Sequence, residues 1–222
     1  MTVTAFLSYS HKNGKLAHEV KLALEKFKIH GFLAHDDIRV SERWKREIRK
    51  HFRDCDLFIP ILTDAFTKSD WTDQECGLAL GHGKKIVPLK VDQGPYGFLG
   101  AYQAIILNED DPTRTCWKIA ESLVSDTKLG RAIRIGAIAA FLGNSSFDET
   151  VRYTSALLKM QPFSTQQIEE IIKGSTRNRN IYGCFRVQPE LQRFIKENES
   201  RISKITAAKF RKAVELWNDT SR

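Results

Sequence analysis

The chain has 222 residues, enough for one large domain or for an ordinary domain with a smaller one. Charged residues make up 28% and hydrophobic residues 41%, a balance that suits a folded globular chain and excludes long disorder. The net charge of +8 is unevenly spread: residues 1–127 hold 18 Lys and Arg against 18 Asp and Glu, and residues 128–222 hold 17 against 9. The basic excess belongs wholly to the second stretch, which predicts two units with different tasks and a boundary near residue 127. No run approaches the roughly 20 apolar residues of a membrane span, Leu57–Leu62 and Ile135–Leu142 being the longest. Met1–Ser10 lacks a basic stretch followed by an apolar one, so no secretory signal is expected and the predicted location is cytoplasmic. Cys55, Cys76, Cys116 and Cys184 show no CxxC spacing and read as free buried thiols.

Strand-like and helix-like segments alternate through residues 1–127. Val3–Ser8 is a short β-branched and aromatic run, and polar residues follow from Tyr9 to Gly14. Leu16, Val20, Leu24 and Phe27 recur at helical spacing, which predicts an amphipathic helix from Asn13 to about Ile29, stopped by Gly31. Phe32–Ala34 reads as a second strand and His35–Ser41 as a charged loop. Trp44, Ile48, Phe52 and Cys55 form one face of the next helix. Asp56–Thr63 is nearly unbroken apolar sequence, as a central strand covered on both faces requires. A helix around Trp71–Leu80, a strand at Lys85–Lys90, a weak strand at Gln103–Leu107 and a helix at Pro112–Val124 complete the series. Such alternation implies right-handed crossovers on a parallel sheet. The predicted fold class is α/β: a flavodoxin-like, five-stranded parallel sheet in the order 2-1-3-4-5. Ligands bind such sheets outside the carboxyl ends of the strands, where the order reverses between the first and third. The loops Tyr9–Asn13, His35–Ser41 and Thr63–Trp71 meet at that crevice.

The alternation ends near Lys128. Arg131–Leu142, Phe147–Met160, Thr165–Lys173, Leu191–Ile195 and Ile202–Trp217 read as helices, with Ser164 an N-cap and Ile181–Val187 a candidate short strand. Residues 128–222 are therefore expected to be a mainly helical region.

Several common sites fail on spacing. The loop after the first strand, SYSHKNG, has no GxGxxG cradle for a dinucleotide. Gly77–Lys85 has five residues between its glycines where a P-loop has four, and Lys85 stands where Ser or Thr would hold magnesium. The histidines at 11, 18, 30, 35, 51 and 82 form no metal-binding pattern, and no GxSxG elbow is present. No metal and no resident cofactor are expected.

Six segments in order carry a resemblance. They are AFLSYS (Ala5–Ser10), the loop His35–Ser41, Trp44 with Ile48, DLFIPILT (Asp56–Thr63), SDWTDQE (Ser69–Glu75) and KKIVPLKVD (Lys84–Asp92). Together they resemble a TIR domain, of the Toll/interleukin-1 receptor family, over roughly residues 1–125. The resemblance extends to bacterial TIR proteins that carry an extra region. In the catalytic branch of that family a glutamate four residues after a tryptophan cleaves the nicotinamide–ribose bond of NAD+. The pattern is Trp-Cys-x-x-Glu, and here it stands as Trp71-Thr72-Asp73-Gln74-Glu75. The resemblance thus implies an NAD+ glycohydrolase or cyclase in antiviral defence signalling, with NAD+ as substrate and Glu75 as the catalytic residue. Non-catalytic TIR modules that recruit another TIR protein are the alternative it leaves open.

Read from the residues alone, Trp71, Glu75, Leu78 and Ala79 are spaced to put Glu75 on the apolar face of its helix. A carboxylate there is either paired or desolvated, and a structural ion pair or a rim position on a fraying helix is the plain reading. Trp44 shares a face with Ile48 and Phe52 and reads equally as core or, by the resemblance, as a pocket wall that stacks on a base. Tyr9, Ser10 and His11 lie just past the first strand, where they could line the pocket. Asp36, Asp37 and Arg39 read as a solvated turn. By the resemblance this loop gates the pocket and packs on a neighbouring subunit, which implies a homo-oligomer; Asp36 is the substrate-binding candidate there, and Trp71 joins it. In the basic half, Arg177, Arg179 and Arg186 interleave with Tyr182 and Phe185, a composition that suits a nucleic-acid surface. A solvated helical surface or one docked on an acidic partner is preferred, in a region that recognises a trigger or controls assembly.

Overall fold

Val3–Ser8 forms the first strand, β1, and sits in the middle of the sheet because its neighbours on both sides are as apolar as it is. The structure is a computed structural model that describes residues 2–33 and 50–220. The chain divides into two compact units, Met1–Ile133 and Arg134–Arg222. In the first, a 3-10 turn (His11–Asn13) leads into helix α1 (Gly14–Lys26) and strand β2 (Ile29–Leu33). A helical turn at residues 50–54 precedes β3 (Leu57–Leu62), and α2 (Asp70–Gly81) follows it. Two short strands, β4 (Lys85–Ile86) and β5 (Leu89–Lys90), come next, then β6 (Ile105–Ile106) and α3 (Pro112–Leu123). The strands lie in the order β2-β1-β3-β5-β6, with β4 paired to β3, and every pairing is parallel. This is the expected doubly wound α/β sheet, with its fourth strand in two pieces.

Prolines account for that division. Val87 donates its N–H to the carbonyl of Phe58 at 3.0 Å. In a parallel ladder the carbonyl of Val87 would take an N–H two residues further along β3, and that residue is Pro60, which has none. Pro88 likewise has no N–H for the neighbour on its other side, although its carbonyl accepts from Ile105 at 2.9 Å.

Gly31 does not stop α1. The helix ends at Lys26, and Lys28 turns the chain with φ 55°. Gly31 lies inside β2 opposite Ala5, where a Cβ would come within 3.0 Å of Leu7 and 3.1 Å of Lys21. A bare backbone there lets α1 settle closely on the sheet. The helix face expected for Trp71, Glu75, Leu78 and Ala79 is also turned. The buried residues of α2 are Thr72, Glu75, Cys76 and Ala79, and Leu78 is exposed. Under α2 lies a core built on Phe6, Phe52, Phe58 and Phe66, with Phe6 tilted against Phe52 at a ring separation of 4.7 Å. On the opposite face Phe27 meets Trp117 edge-on at 5.0 Å. All four cysteines are free and buried.

The second unit is helical among the described residues. It takes up most of α4 (Gly130–Leu142), then α5 (Phe147–Leu158), α6 (Thr165–Arg177), α7 (Arg179–Tyr182), α8 (Gln188–Glu197) and α9 (Lys204–Thr220). Ser164 caps α6 in a reciprocal box with Gln167, as its position before the apolar run required. The short strand expected at Ile181–Val187 is absent. Asn178 caps a new turn of helix, and only Ile181 of that turn is buried, so the segment packs on a helical rather than an alternating period. No helix among the described residues is long and apolar enough to cross a membrane.

Gly183 closes α7 where a Cβ would stand 2.7 Å from the carbonyl oxygen of Arg179 and 2.9 Å from the Trp217 ring. Gly183→Ala is expected to lower stability by about 1–3 kcal/mol through this overpacking, measured by urea unfolding, although alanine outside such a contact is neutral or stabilising.

Candidate active site

Alternation along β1 decides what faces α2. Phe6 belongs to the core beneath that helix, so Ser8 points the same way from the last residue of the strand, and Tyr9 turns to the other face. α2 begins close to the carboxyl ends of β1 and β3 because residues 63–72 are tied to β3. The Phe66 N–H donates to Thr63 Oγ1 at 3.1 Å, and the Thr72 hydroxyl donates to the carbonyls of Phe66 and Ser69, both at 2.7 Å. Thr72 stands where the resembled pattern has cysteine, and here its hydroxyl fixes the helix start. Across the strand ends, Thr63 Oγ1 and Asn13 Oδ1 are 2.8 Å apart, which links the β3 end to the turn after β1.

This framework carries Glu75 to Ser8. Glu75 is 3% exposed, and each of its oxygens accepts one hydrogen bond: Ser8 Oγ donates to Oε2 at 2.5 Å and Trp71 Nε1 to Oε1 at 2.8 Å. The tryptophan bond is the i, i+4 relation of a helix, so the interval Trp71-x-x-x-Glu75 is itself the geometry. Both donors are neutral, and among the described residues no cation pairs with the carboxylate. Burial therefore dominates and raises the pKa of Glu75 to about 7, against the smaller lowering by the Ser8 and Trp71 bonds. The neighbouring Cys76 thiol is pushed up to about 12, first by burial and then by the Glu75 and Asp73 charges, so it is not a nucleophile.

Of the residues selected from sequence, the structure brings Trp71 and Glu75 together and adds Ser8, which the sequence reading passed over. The signal was present: Phe6 and Ser8 share a parity in β1 that Tyr9 does not. Tyr9 is buried at 2% exposure on the opposite face, near the start of α1. Ser10 is buried just past the strand and its carbonyl accepts the Asn13 N–H at 2.7 Å, and His11 is exposed. Asp36 and Trp44, with the rest of the loop expected at His35–Ser41, lie outside the described residues. Among the described residues no three His, Cys, Asp or Glu side chains are grouped to hold a metal.

A carboxyl whose folded pKa lies near 7 holds its proton more tightly in the folded protein than in the unfolded chain, where the value is about 4.5. The group therefore lowers stability progressively as pH rises from about 4.5 through 7, reaching about 3 kcal/mol above that range. Glu75→Gln keeps the neutral shape: its carbonyl accepts from Trp71 and its amide donates to the Ser8 hydroxyl. Thermal or urea unfolding should show the variant more stable than the wild type by a few kcal/mol at pH 8 and close to it at pH 5. Equal stability at pH 8 would mean that Glu75 is not desolvated.

A family model described as TIR domain matches residues 5–119. Among solved structures, the TIR domain of the Toll-related receptor TRR-2 from Hydra magnipapillata is 14% identical, with 54% of this chain and 96% of that one covered at a TM-score of 0.45. No curated protein matches. The family model spans more than half of the sequence, over the doubly wound sheet that places Ser8, Trp71 and Glu75 together, and the chain belongs to the TIR domain family.

Proposed function

We propose that the chain cleaves the nicotinamide–ribose bond of NAD+, with Glu75 as the catalytic carboxylate. One observation supports this above the others: Glu75 is buried with two neutral donors and, among the described residues, no cation, at the carboxyl end of β1 beside the point where the strand order reverses. A carboxylate in that state costs about 3 kcal/mol above pH 7. A module that only binds another TIR domain has no use for that cost, whereas a site for a developing cation does.

The chemistry asks little of other groups. Nicotinamide leaves as a neutral base from a positively charged ring, so no general acid is needed. Charge builds on the ribose instead, in an oxocarbenium-like transition state, and an ionised carboxylate stabilises it. Attack by water at the anomeric carbon gives ADP-ribose, nicotinamide and a proton; attack by the adenine half gives a cyclic product, nicotinamide and the proton lost from the attacking group. Ser8 and Trp71 hold the carboxylate rigid, so its orientation is set before substrate arrives.

Glu75 must be ionised to act. The activity kcat/KM is expected to rise with pH through a limb near 7, and the limb in kcat should lie at lower pH, because the cationic nicotinamide ring favours the ionised form. The deciding experiment incubates the purified chain with NAD+ and separates products by chromatography. Glu75→Gln is expected to lose about 100-fold or more while remaining folded and stable. Undiminished activity in both Glu75→Gln and Glu75→Ala would exclude Glu75 from the reaction.

A further inference from the structure

The second unit contains a cavity of about 320 Å³ between α6 and α9, at the lower end of the range for small-molecule sites. Its lining includes Lys173, Arg177 and Lys209, with Thr176, Ser203 and Ile205. Three cationic side chains from two helices converge there, and the acids around them are few. Glu169 does not line the cavity but contacts three residues that do, and it is already engaged. It accepts the Ser203 N–H at 2.5 Å and the Thr206 hydroxyl at 2.9 Å, and it pairs with Lys173 at 3.0 Å. Those contacts, the Ser203 N–H first, hold its pKa down to about 2, so it stays an anion committed to the wall. Lys173 is thereby neutralised. Among the described residues no carboxylate pairs with Arg177 or Lys209.

One residue of the lining and one stacked group two residues beyond Arg177 complete the picture. Ile205, at the mouth, is 70% exposed, a large apolar surface left to solvent beside the two cations. Past the end of α6, the Arg179 guanidinium lies over the Trp217 ring at 4.6 Å, and Tyr182 meets that ring edge-on at 6.2 Å. The stacking fixes a third cation without using up its hydrogen-bond donors. Cations in series beside a small exposed apolar surface match a ligand that joins phosphate to a planar heterocycle.

We propose that this groove binds a nucleotide phosphate, with the phosphate held by Arg177 and Lys209, the heterocycle against Ile205, and Arg179 placed for a second phosphate. The chemistry is shared by a free nucleotide and by a single strand, and the strand reading extends along Arg179. The site is independent of Glu75, and its test does not depend on NAD+ cleavage.

The test titrates the full chain with a fluorescein-labelled 12-mer of thymidine by anisotropy and with adenosine monophosphate by calorimetry, between 50 and 200 mM salt. Arg177→Glu and Lys209→Glu are expected to weaken binding about tenfold or more, and each should flatten the salt dependence. Lys196→Glu makes the same charge change at an exposed lysine on α8 and should leave affinity within about twofold. For the strand, three phosphate contacts predict a slope of about −2 in log affinity against log salt. Binding of the monophosphate alone identifies a free nucleotide as the ligand, and the graded salt slope of the 12-mer identifies a strand. The proposal is overturned by absence of binding in both arms or by a strand affinity that ignores salt. Equal losses in Lys196→Glu, or a monophosphate signal that survives both groove variants, overturn it as well. Displacement of the 12-mer by polyglutamate at equal charge would assign the groove to acidic peptides instead.

Discussion

A carboxylate taken out of water, with no cation beside it among the described residues, is the constraint around which the first unit is arranged. Two neutral hydrogen bonds offset only part of the desolvation of Glu75, so the fold must hold both donors in place from different elements. β1 has to end with Ser8 facing α2, which fixes its parity. α2 has to begin early enough for Trp71 to stand one turn before Glu75. The hydroxyls of Thr63 and Thr72 secure that start by binding loop backbone. Ser8, Thr63 and Thr72 are each small and polar at a place where the packed sheet alone would accept an apolar side chain. The stability given up at one carboxyl is set against a core of interlocking phenylalanines just below it.

Much of this was legible in the sequence because it rests on local pattern. Val3–Ser8 and the apolar run ending at Thr63 announced the central strands. The interval from Trp71 to Glu75 contained its own hydrogen bond, since four residues make one helical neighbour. What local pattern could not supply was orientation. Leu78 and Trp71 looked like the apolar face of α2, yet the helix is turned so that Thr72 and Cys76 are buried beside Glu75 and Leu78 faces solvent. Ser8 is an ordinary serine until the strand it ends is placed opposite the helix that carries Glu75. Gly31 read as a helix stop because glycine usually is one, but its role is contact between α1 and β2, and Lys28 makes the turn. At Ile181–Val187 β-branched and aromatic residues suggested extension, and a capping asparagine with helical burial decided otherwise.

The two units solve the problem of charge in contrasting ways. In the first, Glu75 is buried with only neutral donors among the described residues and shifts toward its neutral form. In the second, cations outnumber acids, and Arg177, Lys209 and Arg179 reach solvent, where no burial penalty forces them to pair. Glu169 shows the opposite limit, a partly buried acid held ionised by a backbone N–H, a hydroxyl and a lysine. Burial and donor supply, rather than residue type, separate these carboxyls.

The outer strand β6 has a consequence of its own. It is two residues long, lies at the end of the sheet beyond β5, and leaves Ile106 65% exposed. A long apolar edge would template the addition of foreign strands, as in amyloid growth. This edge offers room for hardly more than one pair of backbone hydrogen bonds, and after Leu107 and Asn108 come Glu109, Asp110 and Asp111. Brevity and negative charge thus protect the flank from runaway polymerisation while an isoleucine stays in water.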